Sequence, residues 1–173
     1  MLNGVKPTYR TGHIWSLLSE VTDPEIPVLN VVEMGIVRGI EMGRDEIVVR
    51  ITPTYSGCPA MNAIETDIRK KLQEKGIENI RVKTDYSETW TTDWMTDEAK
   101  RKLKEYGIEP PEKTDPETPG DYLSVIRKSQ KIVPCPYCDS LETELQSEFG
   151  STACKAQYYC HSCAEPFEYF KCI

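Results

Sequence analysis

The sequence predicts an α/β domain followed by a small all-β zinc ribbon. Three observations carry this prediction. Helical and strand patterns alternate over the first 109 residues, a proline-rich stretch follows, and six of the seven cysteines lie in the last 39 of the 173 residues. We therefore expect a domain over residues 1–109, a linker over residues 110–129 and the ribbon over residues 130–173.

Composition and charge limit the partners of the chain. Hydrophobic residues make up 39% of it and the mean hydropathy is -0.49, as in a globular protein with a modest core. Its net charge is -7, and residues 1–110 and 130–173 each carry a net charge of -3. Neither region has the basic surface of a nucleic-acid-binding protein. No apolar run is long enough for a membrane span or a signal core, so we expect a cytoplasmic protein with reduced thiols.

The first domain opens with a short amphipathic helix at residues 14–21, where apolar residues recur at helical spacing. Two prolines end it, because they remove backbone donors and favour extended backbone. Strands are predicted at residues 35–42 and 46–52. The glycine-containing turn between them favours an antiparallel hairpin.

A longer helix is predicted from Ala60 to Gly76, with an apolar stripe at every fourth position. A third strand follows at residues 80–84. Thr96 is the expected cap of another helix that Gly107 ends. The predicted inner face of that helix consists of Ala99, Leu103 and Tyr106.

Two Cys-x-x-Cys motifs, 21 residues apart, define the ribbon. Each motif can hold one side of a metal ion, and together they supply the tetrahedral thiolate set that zinc prefers. Iron is the main alternative metal. Because four thiolates fill the coordination shell, we expect the zinc to be structural. The predicted ligands are Cys135, Cys138, Cys160 and Cys163.

Two further cysteines of the tail, Cys154 and Cys172, are surplus to this site. They are either buried small apolar residues or a second thiol site or redox pair. Strands are expected at residues 142–149 and 156–159. Asp139 and Ala164 follow the two motifs, where ribbons often have glycine. Alanine tolerates positive φ poorly, so we expect the second motif to turn differently from the first.

Cys58 stands alone in the first 134 residues, between Gly57 and Pro59. Proline suits the first turn of a helix, which places Cys58 at or next to an N-cap, where the thiolate form is favoured. A capping or packing role is the alternative. The two histidines, His13 and His161, have no motif context, so a hydrolase is not expected and no catalytic residue is assigned. His161 is expected to be exposed rather than a ligand.

Two segments then carry a resemblance. Residues 23–37, beginning Asp23-Pro24-Glu25, and residues 51–60 around Cys58 resemble the MIP18 family, also called DUF59. This resemblance covers roughly residues 10–105 and implies a two-layer α+β iron–sulfur-assembly fold with a small mixed sheet. It also implies a role in delivering or maturing iron–sulfur clusters. The family's reactive cysteine corresponds to Cys58, and Asp23 and Glu25 are its candidate neighbours. On local grounds alone, those carboxylates could equally belong to a helix-ending turn.

The tail resembles the PaaD (or PaaJ) family of the phenylacetyl-CoA epoxidase system at residues 149–156 and 166–173. This resemblance implies an accessory protein of aerobic phenylacetate degradation that assists iron–sulfur or di-iron assembly without catalysis of its own. The implied cofactors are structural zinc and a transient iron or iron–sulfur cluster. The implied partners are oxygenase and reductase subunits or iron–sulfur assembly proteins, and a homodimer could complete the shell around Cys58. The alternative is a stoichiometric structural or electron-transfer subunit of the oxygenase.

Overall fold

The computed structural model describes residues 9–44, 46–55, 57–112 and 132–171, which pack into two compact units. The first unit comprises the described residues up to Pro53 together with Pro59–Glu88. The second comprises Thr54–Cys58 and the described residues from Thr89 onward. Each unit has its own sheet. None of the helices in these ranges is long and apolar enough to cross a membrane.

The first unit is a small mixed α+β domain, as predicted. Its order is α1, β1, β2, α2 and β3. In the sheet, β2 lies centrally, antiparallel to β1 and parallel to β3. The helices α1 and α2 pack against each other, and α2 packs against β3. The elements span Thr11–Leu18 (α1), Val37–Met42 (β1), Ile47–Ile51 (β2), Met61–Glu74 (α2) and Ile80–Thr84 (β3).

Burial in the first unit follows the predicted periodicities with one difference. The α2 stripe of Ile64, Ile68 and Leu72 is fully buried, which is why this stretch is helical despite its many charged residues. On β2 the predicted inward residues are buried, but Val48 on the other face is buried as well. The central strand is therefore covered on both sides. Gly76, with φ of 78°, follows the end of α2.

The second unit contains one helix, α3, and a four-stranded sheet of order β4-β7-β6-β5. Strand β4 is parallel to β7, whereas the other pairs are antiparallel. The elements span Asp97–Glu105 (α3), Ile108–Glu109 (β4), Thr143–Ser147 (β5), Lys155–Cys160 (β6) and Pro166–Phe170 (β7), with a single 3-10 turn at Thr92–Trp94.

Helix α3 has the predicted cap, since the Thr96 hydroxyl accepts a hydrogen bond from the Ala99 N–H at 3.1 Å. Ala99 and Leu103 are fully buried as expected. Tyr106 is not on the inner face: it is 54% exposed, because it follows the last helical turn as the C-cap. Gly107 then ends the helix with φ of 88°.

The two-residue strand β4 was not predicted. It follows α3 directly and pairs with β7, a strand of the ribbon. Ile108 pairs with Glu168 and Glu109 with Tyr169 on β7. The domain boundary predicted at residue 110 therefore lies inside the second unit. Most of the predicted linker, residues 113–129, lies outside the described residues.

Candidate metal centre and cysteine loop

The four cysteines of the two Cys-x-x-Cys motifs come together in the second unit. Their Sγ atoms all lie within 4.8 Å of one another. Cys135 and Cys163 have Sγ atoms 3.7 Å apart, and Cys138 and Cys160 have Sγ atoms 3.6 Å apart. A tetrahedral zinc site with Zn–S bonds of about 2.3 Å requires S–S separations of about 3.8 Å. The donor set and its spacing therefore fit zinc.

The two motifs form equivalent turns. The N–H of Cys135 donates to the carbonyl of Ser140, and the N–H of Cys160 donates to that of Glu165, both at 3.0 Å. The residue after each motif has positive φ, 56° at Asp139 and 59° at Ala164. The expectation that the second motif turns differently is therefore wrong, because Ala164 adopts the left-handed conformation despite its Cβ.

Half of the metal site is part of the ribbon core. Cys135 and Cys160 are fully buried, Cys163 is half-buried and Cys138 is exposed. In small domains of this kind a bound metal supplies much of the folding energy, and these four thiols are the groups that would hold it. The buried cluster consists of Val133, Cys135, Ala156, Tyr158, Cys160, Phe167 and Tyr169.

Burial and backbone donors act in opposite directions on the thiols. Burial raises the pKa of Cys135, and it raises the pKa of Cys163 to about 12. Hydrogen bonding from the backbone N–H of Cys163 is the largest cause that lowers the pKa of Cys160 to about 7. A bound metal ion outweighs these differences, because coordination deprotonates a thiol outright.

Polar residues that the sequence reasoning missed join the two motifs outside the sulfur cluster. The hydroxyl oxygens of Ser140 and Ser162 are 2.6 Å apart, and Ser162 donates to a carboxylate oxygen of Glu142 at 2.8 Å. His161 is exposed, as predicted, and its Nε2 lies 3.2 Å from a carboxylate oxygen of Glu144. Ser162 lies within the second motif and Ser140 lies two residues after the first, so this pair of serines could have indicated the contact from the sequence.

Cys154 is buried, with its Sγ 3.1 Å from the hydroxyl oxygen of Thr152. Its carbonyl accepts a hydrogen bond from the N–H of Lys171 at 2.9 Å. Cys172 lies outside the described residues. A second thiol site formed by these two cysteines therefore stays a prediction.

Glu109 is a buried carboxyl group on β4. It is 7% exposed, and its Oε2 has no hydrogen-bond partner among the described residues. Burial is the main cause that raises the pKa of Glu109 to about 7. Lys104 opposes this shift, whereas the negative charges of Asp139 and Glu112 add to it. Glu109 therefore titrates near neutral pH.

Cys58 lies outside the sulfur cluster, in a turn closed by its own N–H, which donates to the carbonyl of Tyr55 at 3.1 Å. The residue is half-buried. Helix α2 begins at Met61 with Ala60 as its N-cap, so Cys58 lies two residues before the cap rather than at or next to it. The difference arises because Pro59 and Ala60 form a turn before the helix.

The carboxylate of Asp23 is buried and holds a turn. Its Oδ1 accepts hydrogen bonds from the N–H groups of Glu25 at 2.8 Å and Ile26 at 2.9 Å. The N–H of Asp23 donates to the carbonyl of Leu29 at 2.9 Å. These contacts favour the helix-ending turn as the role of Asp23. The neighbouring Glu25 is half-buried. A role of either carboxylate beside Cys58 stays a prediction.

A second turn follows directly and was missed. The N–H of Asn30 donates to the Glu33 carboxylate at 2.7 Å, and the N–H of Glu33 donates to the Asn30 side-chain oxygen at 2.9 Å. This is the reciprocal arrangement of a capping box, and its Asn-x-x-Glu spacing is visible in the sequence. The segment that resembles the MIP18 family is thus two capped turns in succession.

Two family models match the chain. The model described as an iron–sulfur cluster assembly protein matches residues 12–84, which lie mainly in the first compact unit. The model described as the PaaD zinc beta ribbon domain matches residues 120–171, which include all four metal-ligand candidates.

Two relatives illustrate what the chain is similar to. It is 46% identical over 160 residues to the putative D-type subunit of the 1,2-phenylacetyl-CoA epoxidase of Escherichia coli (strain K12), covering 92% of each protein. It is 36% identical over 89 residues to an Fe-S protein maturation auxiliary factor of Porphyromonas gingivalis, covering 50% of this chain and 84% of that protein. The second relative matches about half of the chain, whereas the first spans nearly all of it.

A solved structure supports the fold of the first unit. A DUF59 domain from Bacillus anthracis superimposes with a TM-score of 0.50 at 27% identity, covering 54% of this chain and 90% of that domain. The predicted small mixed α+β domain with a ribbon appended to it is confirmed.

Proposed function

Because this chain belongs to the PaaD family of phenylacetyl-CoA epoxidase proteins, we propose that it is an accessory protein that helps to assemble a metal centre of that oxygenase system. The centre is an iron–sulfur cluster or a di-iron site. Cys58 binds the metal cargo transiently, and the ribbon holds a structural zinc. The chain itself performs no catalysis on the substrate of the oxygenase.

The observation that carries the proposal is the combination of the two matched regions in one chain. The region matched by the iron–sulfur cluster assembly model supports a role in assembly, and its relative in Porphyromonas gingivalis is named as a maturation factor. The ribbon and the relative in Escherichia coli support phenylacetyl-CoA epoxidation as the process served. A maturation factor dedicated to that oxygenase accounts for the assembly region and for the ribbon in one chain.

Cys58 is the single cysteine of the region matched by the assembly model. One thiolate supplies one of the about four ligands that an iron–sulfur cluster requires, so other donors must come from the client or a second copy. Incomplete ligation gives weak binding, which suits transfer. Since Asp23 holds a turn through its Oδ1, Glu25 is the stronger candidate for a neighbouring donor.

The ribbon serves structure and docking in this proposal. Four thiolates complete the tetrahedron and leave no open coordination position for chemistry. Its acidic surface is the candidate contact for oxygenase or reductase subunits, or for iron–sulfur assembly proteins.

The test is to co-express the oxygenase and reductase subunits with this chain, either wild type or Cys58→Ala. We expect iron and acid-labile sulfide per purified client polypeptide to fall several-fold with Cys58→Ala. The zinc content of the variant should stay at the wild-type level, because Cys58 lies outside the sulfur cluster. Cys154→Ala is the matched control, since it removes another cysteine that is not in the cluster.

Full metal occupancy of the client with Cys58→Ala would contradict the proposal. A separate measurement addresses the stoichiometric-subunit alternative. A maturation factor can be removed from the finished oxygenase without loss of turnover, whereas a structural or electron-transfer subunit cannot.

A further inference from the structure

The loop between β5 and β6, residues 148–154, lies at the end of the ribbon away from its metal ligands. We name it the Phe149 loop. Strand β6 begins directly after it at Lys155 and ends at the ligand Cys160, and the two ends of this strand are about 16 Å apart. The N–H of Lys171, directly after β7, donates to the carbonyl of Cys154 at 2.9 Å. The Phe149 loop is therefore attached to the end of β7.

A buried ion pair fixes the base of the Phe149 loop. The Lys155 side chain is only 4% exposed, and its ammonium lies 2.9 Å from one carboxylate oxygen of Glu168. The other oxygen of Glu168 accepts a hydrogen bond from the N–H of Ser151 at 2.8 Å. A Cβ at Gly150 would stand 2.8 Å from that second oxygen, so glycine leaves room for the carboxylate. Because a buried charge needs its partner, this pair holds the loop in one position.

The tip of the Phe149 loop is fixed as well. The Lys171 ammonium donates to the carbonyl of Glu148 at 2.8 Å and lies 4.6 Å from the centroid of the Phe149 ring. The hydroxyl group of Ser147 donates to the Phe149 carbonyl at 2.8 Å and accepts from the Phe149 N–H at 3.2 Å. The backbone on both sides of the aromatic ring is therefore held by hydrogen bonds.

Phe149 is nevertheless 67% exposed, and it lies outside the buried cluster of the ribbon. A large aromatic ring left in water forgoes the free energy of burial that it would gain in a core. Aromatic side chains that fill a pocket of the partner are typical anchors of protein interfaces. A loop that is already fixed loses little conformational entropy on binding, so the Phe149 ring is well suited to such a role.

The charges at the two ends of the ribbon differ. Around the Phe149 loop they balance, because Lys155 is paired with Glu168 and Lys171 lies beside Glu148. The metal end is acidic and carries four exposed carboxylates, those of Asp139, Glu142, Glu144 and Glu165. An acidic surface complements a basic partner, whereas a neutral end with an exposed ring complements an uncharged apolar pocket.

We propose that Phe149 anchors this chain to a client polypeptide of the oxygenase by inserting into an uncharged apolar pocket of that protein. Lys155 and Glu168 are positioning residues, because they fix the loop that presents the ring. This docking role rests on the proposed function and deepens it, since it gives the client a contact of its own, apart from the acidic metal end.

The first experiment measures the Kd of the full, zinc-loaded chain for each purified oxygenase and reductase subunit by biolayer interferometry. Truncation of an interface anchor commonly weakens binding more than about tenfold, so Phe149→Ala should raise the Kd about thirtyfold. Its zinc content should not change, because the ring lies outside the buried cluster. Tyr86→Ala is the matched control, since it removes a ring of the same 67% exposure from the first unit.

Three outcomes would overturn the docking role of Phe149. The first is a Kd of Phe149→Ala within about threefold of the wild type, and the second is an equal loss of affinity in Tyr86→Ala. The third is that the wild-type chain binds none of the subunits. A wild-type dimer that Phe149→Ala dissociates, measured by analytical ultracentrifugation, would show that a second copy covers the ring and would overturn the assignment to a client.

Gly150→Ala tests the positioning by the ion pair and leaves Phe149 in place. Its Cβ would meet the Glu168 carboxylate at 2.8 Å, so the loop or the ion pair must shift, and we expect a Kd about tenfold higher. Gly12→Ala is the control, because a Cβ there meets nothing within 4 Å. Equal Kd values for the two variants would contradict the positioning role.

Salt dependence distinguishes the two ends of the ribbon. Binding through an apolar pocket should change less than about twofold between roughly 0.05 M and 0.5 M NaCl, because salt screens charges and not apolar contacts. A steep loss of affinity with salt would assign the contact to the acidic end instead and would overturn the docking role of Phe149.

Client binding and metal transfer can fail separately. Cys58→Ala should bind the client with the wild-type Kd while the iron content of the client falls. Normal client iron in Cys58→Ala, together with weak binding by Phe149→Ala, would refute the proposed function alone. Loss of client iron in Cys58→Ala, together with normal binding by Phe149→Ala, would refute the docking role alone.

Discussion

Asp139 and Ala164 occupy equivalent positions after the two metal-binding motifs and share the left-handed backbone conformation, with φ of 56° and 59°. This conformation costs a residue with a Cβ about 1–2 kcal/mol. Asp139 gains an ion pair with Lys104 at 2.5 Å. Ala164 has a methyl side chain, which cannot hydrogen-bond in compensation. The strain at Asp139 is therefore partly offset by its ion pair, whereas the side chain of Ala164 offers no such compensation.

Ala164→Gly should stabilise the zinc-loaded protein by about 1 kcal/mol, because glycine adopts this φ without steric cost. The free energy of unfolding in urea, at fixed zinc concentration, measures the effect. Asp139→Gly is the control: it relieves the same strain but loses the ion pair with Lys104, so we expect little net change. A destabilised Ala164→Gly would mean that Ala164 is not strained.

Cys135→Ala should abolish the binding of one equivalent of zinc, whereas Cys58→Ala should retain it. Cys135 is a fully buried candidate ligand, and Cys58 lies outside the cluster. Because metal binding supplies folding energy to the ribbon, near-ultraviolet circular dichroism from the stacked rings of Tyr158 and Phe167 should also disappear in Cys135→Ala. Elemental analysis of both purified variants measures zinc. Equal zinc in the two would refute the assigned ligand set.

Asp23→Ala should destabilise the first unit by about 1–3 kcal/mol, because the part-buried N–H of Glu25 and the buried N–H of Ile26 lose their shared acceptor. Asp23→Asn keeps a side-chain oxygen and should cost much less. Glu25→Gln should have little effect on stability, since Glu25 is half-buried. Thermal unfolding measures all three. Should Asp23→Asn be as damaging as Asp23→Ala, the turn would depend on the negative charge of Asp23, because a carboxylate accepts stronger hydrogen bonds than an amide oxygen.

Ionisation of Glu109 should lower the free energy of unfolding as pH rises from about 4.5 to about 7. Burial raises the pKa of Glu109 to about 7, above its usual 4.5, so the folded chain binds more protons than the unfolded chain in this window. The stabilising contribution is complete below pH 4.5 and is lost as pH rises through 7. Glu109→Gln should therefore stabilise the protein more at pH 8 than at pH 5.

Comparing the wild type with Glu109→Gln at the same pH separates the titration of Glu109 from zinc binding, which itself strengthens as pH rises. Urea unfolding of the wild type and Glu109→Gln at each pH, with saturating zinc, gives the difference directly. A difference that is constant between pH 5 and pH 8 would contradict titration of Glu109 in this range.

The predictable regions of this chain were those with a local signal. The α2 stripe, the Thr96 cap and the third strand, Ile80–Thr84, follow from side-chain period and capping chemistry. The Cys-x-x-Cys spacing predicted that each pair of cysteines lies in one short turn, and the two pairs do converge. Local patterns identify elements in this way when neighbouring residues determine them.

What was missed has one long-range cause and two local ones. Strand β4 is two residues long and exists because β7, more than 50 residues later, offers it a parallel edge. Helix propensity placed Tyr106 on the inner face, but the helix ends one residue before it. Asp23 was a candidate neighbour of Cys58, whereas its Oδ1 accepts hydrogen bonds from N–H groups two and three residues later. Of these three outcomes, only β4 depends on a distant partner; the turn at Asp23 is local and was one of the two alternatives that the sequence left open.

The pairing of β4 with β7 joins the two described stretches that lie on either side of residues 113–131. A single proteolytic cut between Glu112 and Ile132 would break the backbone, but the fragments would still share a sheet, the Lys104–Asp139 ion pair and the Trp90–Phe170 contact. The two pieces should therefore co-elute as one particle after nicking.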